Sequence, residues 1–159
     1  VSDGTFSTVE TFQVTTLSPI QQWRYQYFAP TYANTGEAAD TSNPTNDAVP
    51  NLIKYGLSMD PLVGSLTGLP VVSTVNGYLT MQFTRNVNAT DVNYTVEASN
   101  DLVNWSTIAS RVAGATSWTT QSGASVSDNS GTVTVTDGMS YNSQSQRFIQ
   151  LVVTNPTNQ

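Results

Sequence analysis

Apolar and polar residues alternate with a period of two through most of the chain, and follow a helical period only near its start. Residues 5–16 (TFSTVETFQVTT) put Phe6, Thr8, Glu10, Phe12 and Val14 on one side and Val9 among small polar residues on the other. This is the pattern of a strand with one strongly apolar row. The period changes at Leu17. Ser18 fits an N-cap, Pro19 the first helical position and Gln21 the far side of a capping box. Ile20, Trp23 and Tyr27 then share one face, which predicts a short helix ending near Phe28. Residues 29–47 are polar and turn-rich, hence a loop. A second short helix is predicted over residues 50–57, with Leu52, Ile53 and Tyr55 as apolar contacts and Asp47 as its cap, and Asp60-Pro61 stops it.

Beyond Leu66 the chain reads as antiparallel strands. Residues 69–75 and 78–85 flank Asn76-Gly77, a pair that tolerates the positive φ of a tight hairpin turn. Val92, Tyr94, Val96 and Ala98 alternate with Asn93, Thr95, Glu97 and Ser99, giving one buried and one wet face. Further strands are predicted over residues 105–110, 117–121, 131–136 and 147–154. Turn signals at Asn100-Asp101, at residues 128–131 and at Asp137-Gly138 separate them. About seven to eight short strands at this spacing predict a mainly β protein, an antiparallel β-sandwich with one or two short helices near the N-terminus. The expected organisation is an N-terminal β arm (1–16), short helices with a loop (17–62) and the sandwich (63–159), together one compact domain.

Three segments carry a family resemblance: PNLIKYGLSMDP (50–61), NGYLT (76–80) and YTVEASNDLVNW (94–105), with RFIQLVV (147–153) similar to a closing strand. They resemble a module of large secreted proteins of Verrucomicrobia and Planctomycetes, over roughly residues 20–153. There a DxDGDGxxN(L)xEYALGxDP segment, similar to thrombospondin type 3 or dockerin calcium loops, precedes a β-sandwich containing YTVExSxDLxxW. The resemblance implies a secreted β-sandwich and a calcium loop, and this chain departs from the loop. Oxygen ligands at loop positions 1, 3 and 5 would be Asn43, Thr45 and Asp47, but Ala48 stands where the sharp turn needs Gly, and Lys54 where a bidentate Glu belongs. Asp40, Asn43, Asp47 and Asp60 remain as weak calcium candidates, and no cofactor is otherwise expected.

Composition narrows the chemistry. The 159 residues include no Cys and no His, which excludes thiol nucleophiles, Ser-His-Asp triads, Cys/His zinc sites and imidazole bases. Five Lys and Arg against eleven Asp and Glu give a net charge of −6, the opposite of a nucleic-acid footprint. Carboxylates are the remaining acid/base chemistry. Glu10, Glu37, Asp40, Asp91, Glu97 and Asp101 are the candidates, but Glu97 falls on a wet strand face and Asp101 in a turn. An enzyme is therefore not expected. Only 10 % of residues are charged, whereas 18 Ser and 24 Thr are present, a balance typical of secreted β-rich surface proteins. The apolar runs are too short to span a bilayer. The expectation is an extracellular or cell-surface protein, released from a signal peptide.

Two functions fit these observations. The first is a structural subunit that self-assembles into a filament or surface layer. The strand with Phe6, Val9, Phe12 and Val14 either completes its own sheet or adds to a neighbouring copy, with Phe6, Phe12 and Val14 filling an apolar groove. The second is a carbohydrate-binding or adhesion module. Most of the aromatic residues fall on core faces, and Tyr32 and Trp118 are the candidate exposed rings for stacking on a surface glycan.

Overall fold

In the computed structural model, which describes residues 16–143 and 146–156, Asn76 and Gly77 have φ of 52° and 86°. They join β1 (Val71–Val75) to β2 (Tyr78–Thr84) as the sequence predicts. The arm over residues 5–16 lies outside the described residues, Thr16 apart. Six more strands follow: β3 (Asn93–Ser99), β4 (Trp105–Arg111), β5 (Thr119–Thr120), β6 (Ser125–Asn129), β7 (Thr132–Ser140) and β8 (Phe148–Thr154). They form two antiparallel sheets, in the orders β1-β2-β7-β6 and β5-β4-β3-β8. Met81, Phe83, Val133 and Val135 of the first sheet meet Tyr94, Val96, Ala98, Ile108 and Val153 of the second in one core. Phe83 stacks on Tyr94 with centroids 6.4 Å apart. The expected mainly β sandwich is the fold.

The turn signal at residues 128–131 holds, since Ser130 and Gly131, with φ of 51° and 98°, join β6 to β7, but the sequence reading missed the strand before it. Asp128-Asn129 ends a strand, β6, that pairs in register with β7 from Ser125↔Thr136 to Asn129↔Thr132. A polar edge strand has no apolar alternation to announce it: of its two half-buried residues, Val126 and Asp128, only Val126 is apolar. The signal at Asp137-Gly138 does mislead: β7 runs through it, and the β2–β7 register jumps from Thr80↔Thr136 to Tyr78↔Ser140. The extra residues form a bulge. A Cβ at Gly138 would lie 2.7 Å from the backbone of Gly123 and Ala124, which is why a glycine sits inside this strand.

The N-terminal flank contains α1 (Pro19–Phe28) and α2 (Asn51–Gly56). The predicted capping box is present: Gln21 N donates to Ser18 Oγ (3.4 Å) and Ser18 N donates to Gln21 Oε1 (2.9 Å). Ile20 is buried and Trp23 packs against the core, as the helical period predicts. Asp47 does not cap α2. The N-cap is Pro50, without a side-chain bond, and Asp47 is engaged elsewhere. The flank is clamped to one end of the sandwich. Asp91 accepts bonds from Ile20 N (2.8 Å) and the Tyr55 hydroxyl (2.7 Å), and the Tyr94 hydroxyl donates to Gly56 O (2.8 Å).

Candidate functional site: an open seam and four buried ion pairs

The two sheets do not cover each other fully. Val72 lies opposite Met81, and Thr74 opposite Leu79, so both belong to the inward row of β1. Val72 is nevertheless 47 % exposed, and β8 is the edge strand of the second sheet among the described residues. β1 and β8 border a largely apolar groove of about 440 Å³, lined by Val72, Leu79, Leu102, Trp105, Phe148 and Ile149 together with Arg147 and Gln150. One side of this groove is β8. Among the described residues β8 pairs only with β3, in unbroken register from Asn93↔Thr154 to Ser99↔Phe148. Its other edge has no strand partner among the described residues. The sequence FIQLVVT contains no charge, no proline and no bulge, the usual devices that protect an edge. The β6 edge at the far side is Ser125–Asn129, polar and ending in Asp128-Asn129.

The sequence-derived site residues fare differently. Phe6, Val9, Phe12 and Val14 lie outside the described residues. Tyr32 is exposed, as expected. Trp118 is not a free stacking ring: it packs edge-on to Phe83 and tilted against Tyr94, with centroids 6.2 Å away in both cases, and its Nε1 donates to Asp128. The alternation around residues 117–121 hid this because β5 is only two residues long, leaving Trp118 to turn inward just before it.

The loop compared with calcium sites encloses a cation of another kind. The Lys54 ammonium is fully buried, 2.7 Å from Asp47 Oδ2 and 2.7 Å from Thr45 Oγ1, and donates also to Val63 O (3.3 Å). Asp47 accepts further bonds from Val49 N and Ser65 N. The four weak calcium candidates are not brought together as a ligand set. Asp40 pairs with Arg24, Asn43 Oδ1 accepts from Asp47 N, and Asp60 accepts from Leu62 N. A divalent ion among the Asp47 oxygens would face the ammonium at contact distance. Melting is therefore expected to be the same in millimolar calcium and in chelator. A calcium-dependent rise in Tm would mean that the loop rearranges to expel Lys54.

The remaining carboxylates hold structure. Asp101 accepts from Asn104 N (2.7 Å), Val103 N (2.9 Å) and Asn104 Nδ2 in the β3–β4 turn. Glu97 accepts from Gln150 on the wet face, Glu37 is exposed and Glu10 lies outside the described residues. The Lys54 bond holds the Asp47 carboxyl well below the usual range, and the Asn104 backbone bond does the same for Asp101. At Asp128 burial pushes upward, but bonds from Arg85, Trp118 and Gly131 N outweigh it and the carboxyl is lowered. Burial, then the bond to Asp91, holds the Tyr55 phenol above its ordinary value. Each depressed carboxylate contributes stability that is complete above its ordinary value of 3.8 and is lost as pH falls below it, because the unfolded chain takes up the proton first. With no His or Cys, calorimetric Tm is expected to stay flat from about pH 5.5 to 8 and to fall below about pH 4. An inflection near neutrality would contradict this assignment.

Fold and site together define a two-sheet antiparallel β-sandwich with a helical flank at one end and, at its β1–β8 side, a largely apolar seam that none of the described residues fills. Compared with protein-family models, curated proteins and solved structures, the chain matches none. Among the described residues no helix is long and apolar enough to cross a membrane.

Proposed function

We propose that this protein is a non-enzymatic extracellular structural subunit that self-assembles by strand addition, each copy placing its residues 5–16 beside β8 of the next. The observation that carries the reading is the seam itself: a seven-residue edge without charge or proline, paired only with β3 among the described residues, bordering a largely apolar groove of about 440 Å³. A strand added at β8 would pair with its outer backbone edge and lay alternate side chains over Val72 and Leu79. The arm supplies such a row in Phe6, Phe12 and Val14, and its two-residue alternation matches what the groove accepts. Because donor arm and acceptor groove are different surfaces, the contact is head-to-tail and propagates unless it closes into a ring. The low charge content and the similarity to secreted surface modules support an extracellular setting, and the engagement of the described carboxylates favours a structural role over a catalytic one. Deleting residues 1–16 is expected to leave a folded monomer by circular dichroism and light scattering. Assemblies that persist after the deletion would rule out strand exchange.

A further inference from the structure

One face of α1 carries Pro19, Gln22, Trp23 and Gln26, spaced i, i+3, i+4 and i+7, and all four line a cleft of about 390 Å³. Asn86 and Asn88 of the β2–β3 connection and Tyr55 of α2 line the rest. No charged side chain is among them, so the cleft offers an ionic ligand no counter-charge. Trp23 is half-buried and wedged among Tyr27, Tyr55 and Phe28, with centroids 5.4, 5.4 and 5.9 Å away, which fixes its indole in place. Asn86 is fixed as well: its Nδ2 donates to Tyr55 O (3.1 Å) and its Oδ1 accepts from Asn88 N (3.0 Å). The other polar groups of the cleft are uncommitted. Gln22 donates to Leu17 O and keeps its amide oxygen as an acceptor. Among the described residues the side-chain amides of Gln26 and Asn88 make no hydrogen bond, and Trp23 Nε1, which is not buried, donates to no acceptor.

We infer that this cleft binds a neutral saccharide, with Trp23 as the aromatic contact and Gln26 and Asn88 as hydroxyl ligands. A primary amide holds a donor and an acceptor side by side, so one amide bonds two neighbouring hydroxyls of a sugar ring, while the indole takes the apolar C–H face. A concave site with an aromatic wall and a few convergent polar groups is the usual form of a small-ligand site. Tyr32 and Trp118, the rings that the sequence puts forward for a glycan, do not line this cleft. The cleft shares no residue with the β1–β8 seam, so saccharide binding and assembly succeed or fail separately. Calorimetric titration of the full chain with cellohexaose, xylohexaose, mannohexaose and trigalacturonate tests the inference. Saturable binding of at least one neutral oligosaccharide is expected. Gln26→Ala and Asn88→Ala should each weaken it about three- to tenfold, the equivalent of one lost hydrogen bond, and Tyr32→Ala should leave it unchanged. Gln26 and Asn88 are exposed and make no hydrogen bond within the described residues, so both variants keep the parent's circular dichroism. Absence of saturable binding by all three neutral oligosaccharides, unaltered affinity in both cleft variants, a loss with Tyr32→Ala instead, or tighter binding of trigalacturonate overturns the inference.

Discussion

Replacing Arg147 by methionine is expected to destabilise the protein by about 3–5 kcal/mol, the usual cost of stripping one partner from a buried ion pair. Asp137 is almost fully buried and receives two parallel bonds from Arg147, Nε to Oδ2 at 2.6 Å and Nη2 to Oδ1 at 2.9 Å. Without the arginine the carboxylate keeps only the Met139 N–H, at 3.2 Å. Asp137 sits at the bulge of β7 and is 1 % exposed. For a domain of this length each kcal/mol moves Tm by roughly 2–4 °C, so a fall of roughly 6–20 °C is expected in thermal melts. Arg147→Met combined with Asp137→Asn should recover much of it, since the second change removes the stranded charge. A single variant within 1 °C of the parent would show that the pair does not hold the bulge to β8.

Placing a charge in the seam should have the largest effect on assembly. Val72 points inward but is 47 % exposed, so Val72→Lys leaves the isolated fold close to its original stability, within about 0.5 kcal/mol. Covering the groove with a strand would then bury an ammonium that has no partner there. Inward-pointing lysines protect natural sheet edges in this way. The critical concentration for assembly is expected to rise roughly 100-fold or more, because burying an unpaired charge costs several kcal/mol. Val71→Lys is the matched control: Val71 faces away from the groove and is 65 % exposed, and its replacement should leave assembly unchanged. Sedimentation of both variants across a concentration series reads the difference. Equal behaviour of the two would move the contact away from the groove.

What was legible in the chain follows from what local patterns encode. The Ser18–Gln21 capping box, the Asn76-Gly77 hairpin and the Tyr94–Val96–Ala98 alternation depend on neighbours in sequence, and each forms as read. The polar interior did not announce itself. Arg24, Asn51 and Lys54 sit on helix faces where a charge or amide reads as solvent-facing, and each is buried because a distant loop supplies its partners. Asp40 does so for Arg24, Glu37 O and Ala39 O for Asn51, and Asp47 with Thr45 for Lys54. The calcium-loop comparison did mark Lys54 as the residue out of pattern. Its ammonium among loop oxygens is the physical form of that departure. The seam was not legible, because its lining comes from β1, β2, the β3–β4 turn, the start of β4 and β8, a juxtaposition that no single strand's sequence records.

The most direct measurement of the central claim is negative-stain electron microscopy of the unaltered protein over a range of concentrations, with mass determination on the same samples. Strand addition into the β1–β8 seam predicts regular fibres or sheets with a repeat of one domain length, in equilibrium with monomer on dilution. Dispersed monomers at the highest concentration would contradict it, and would mean that the seam of each copy is not filled by another.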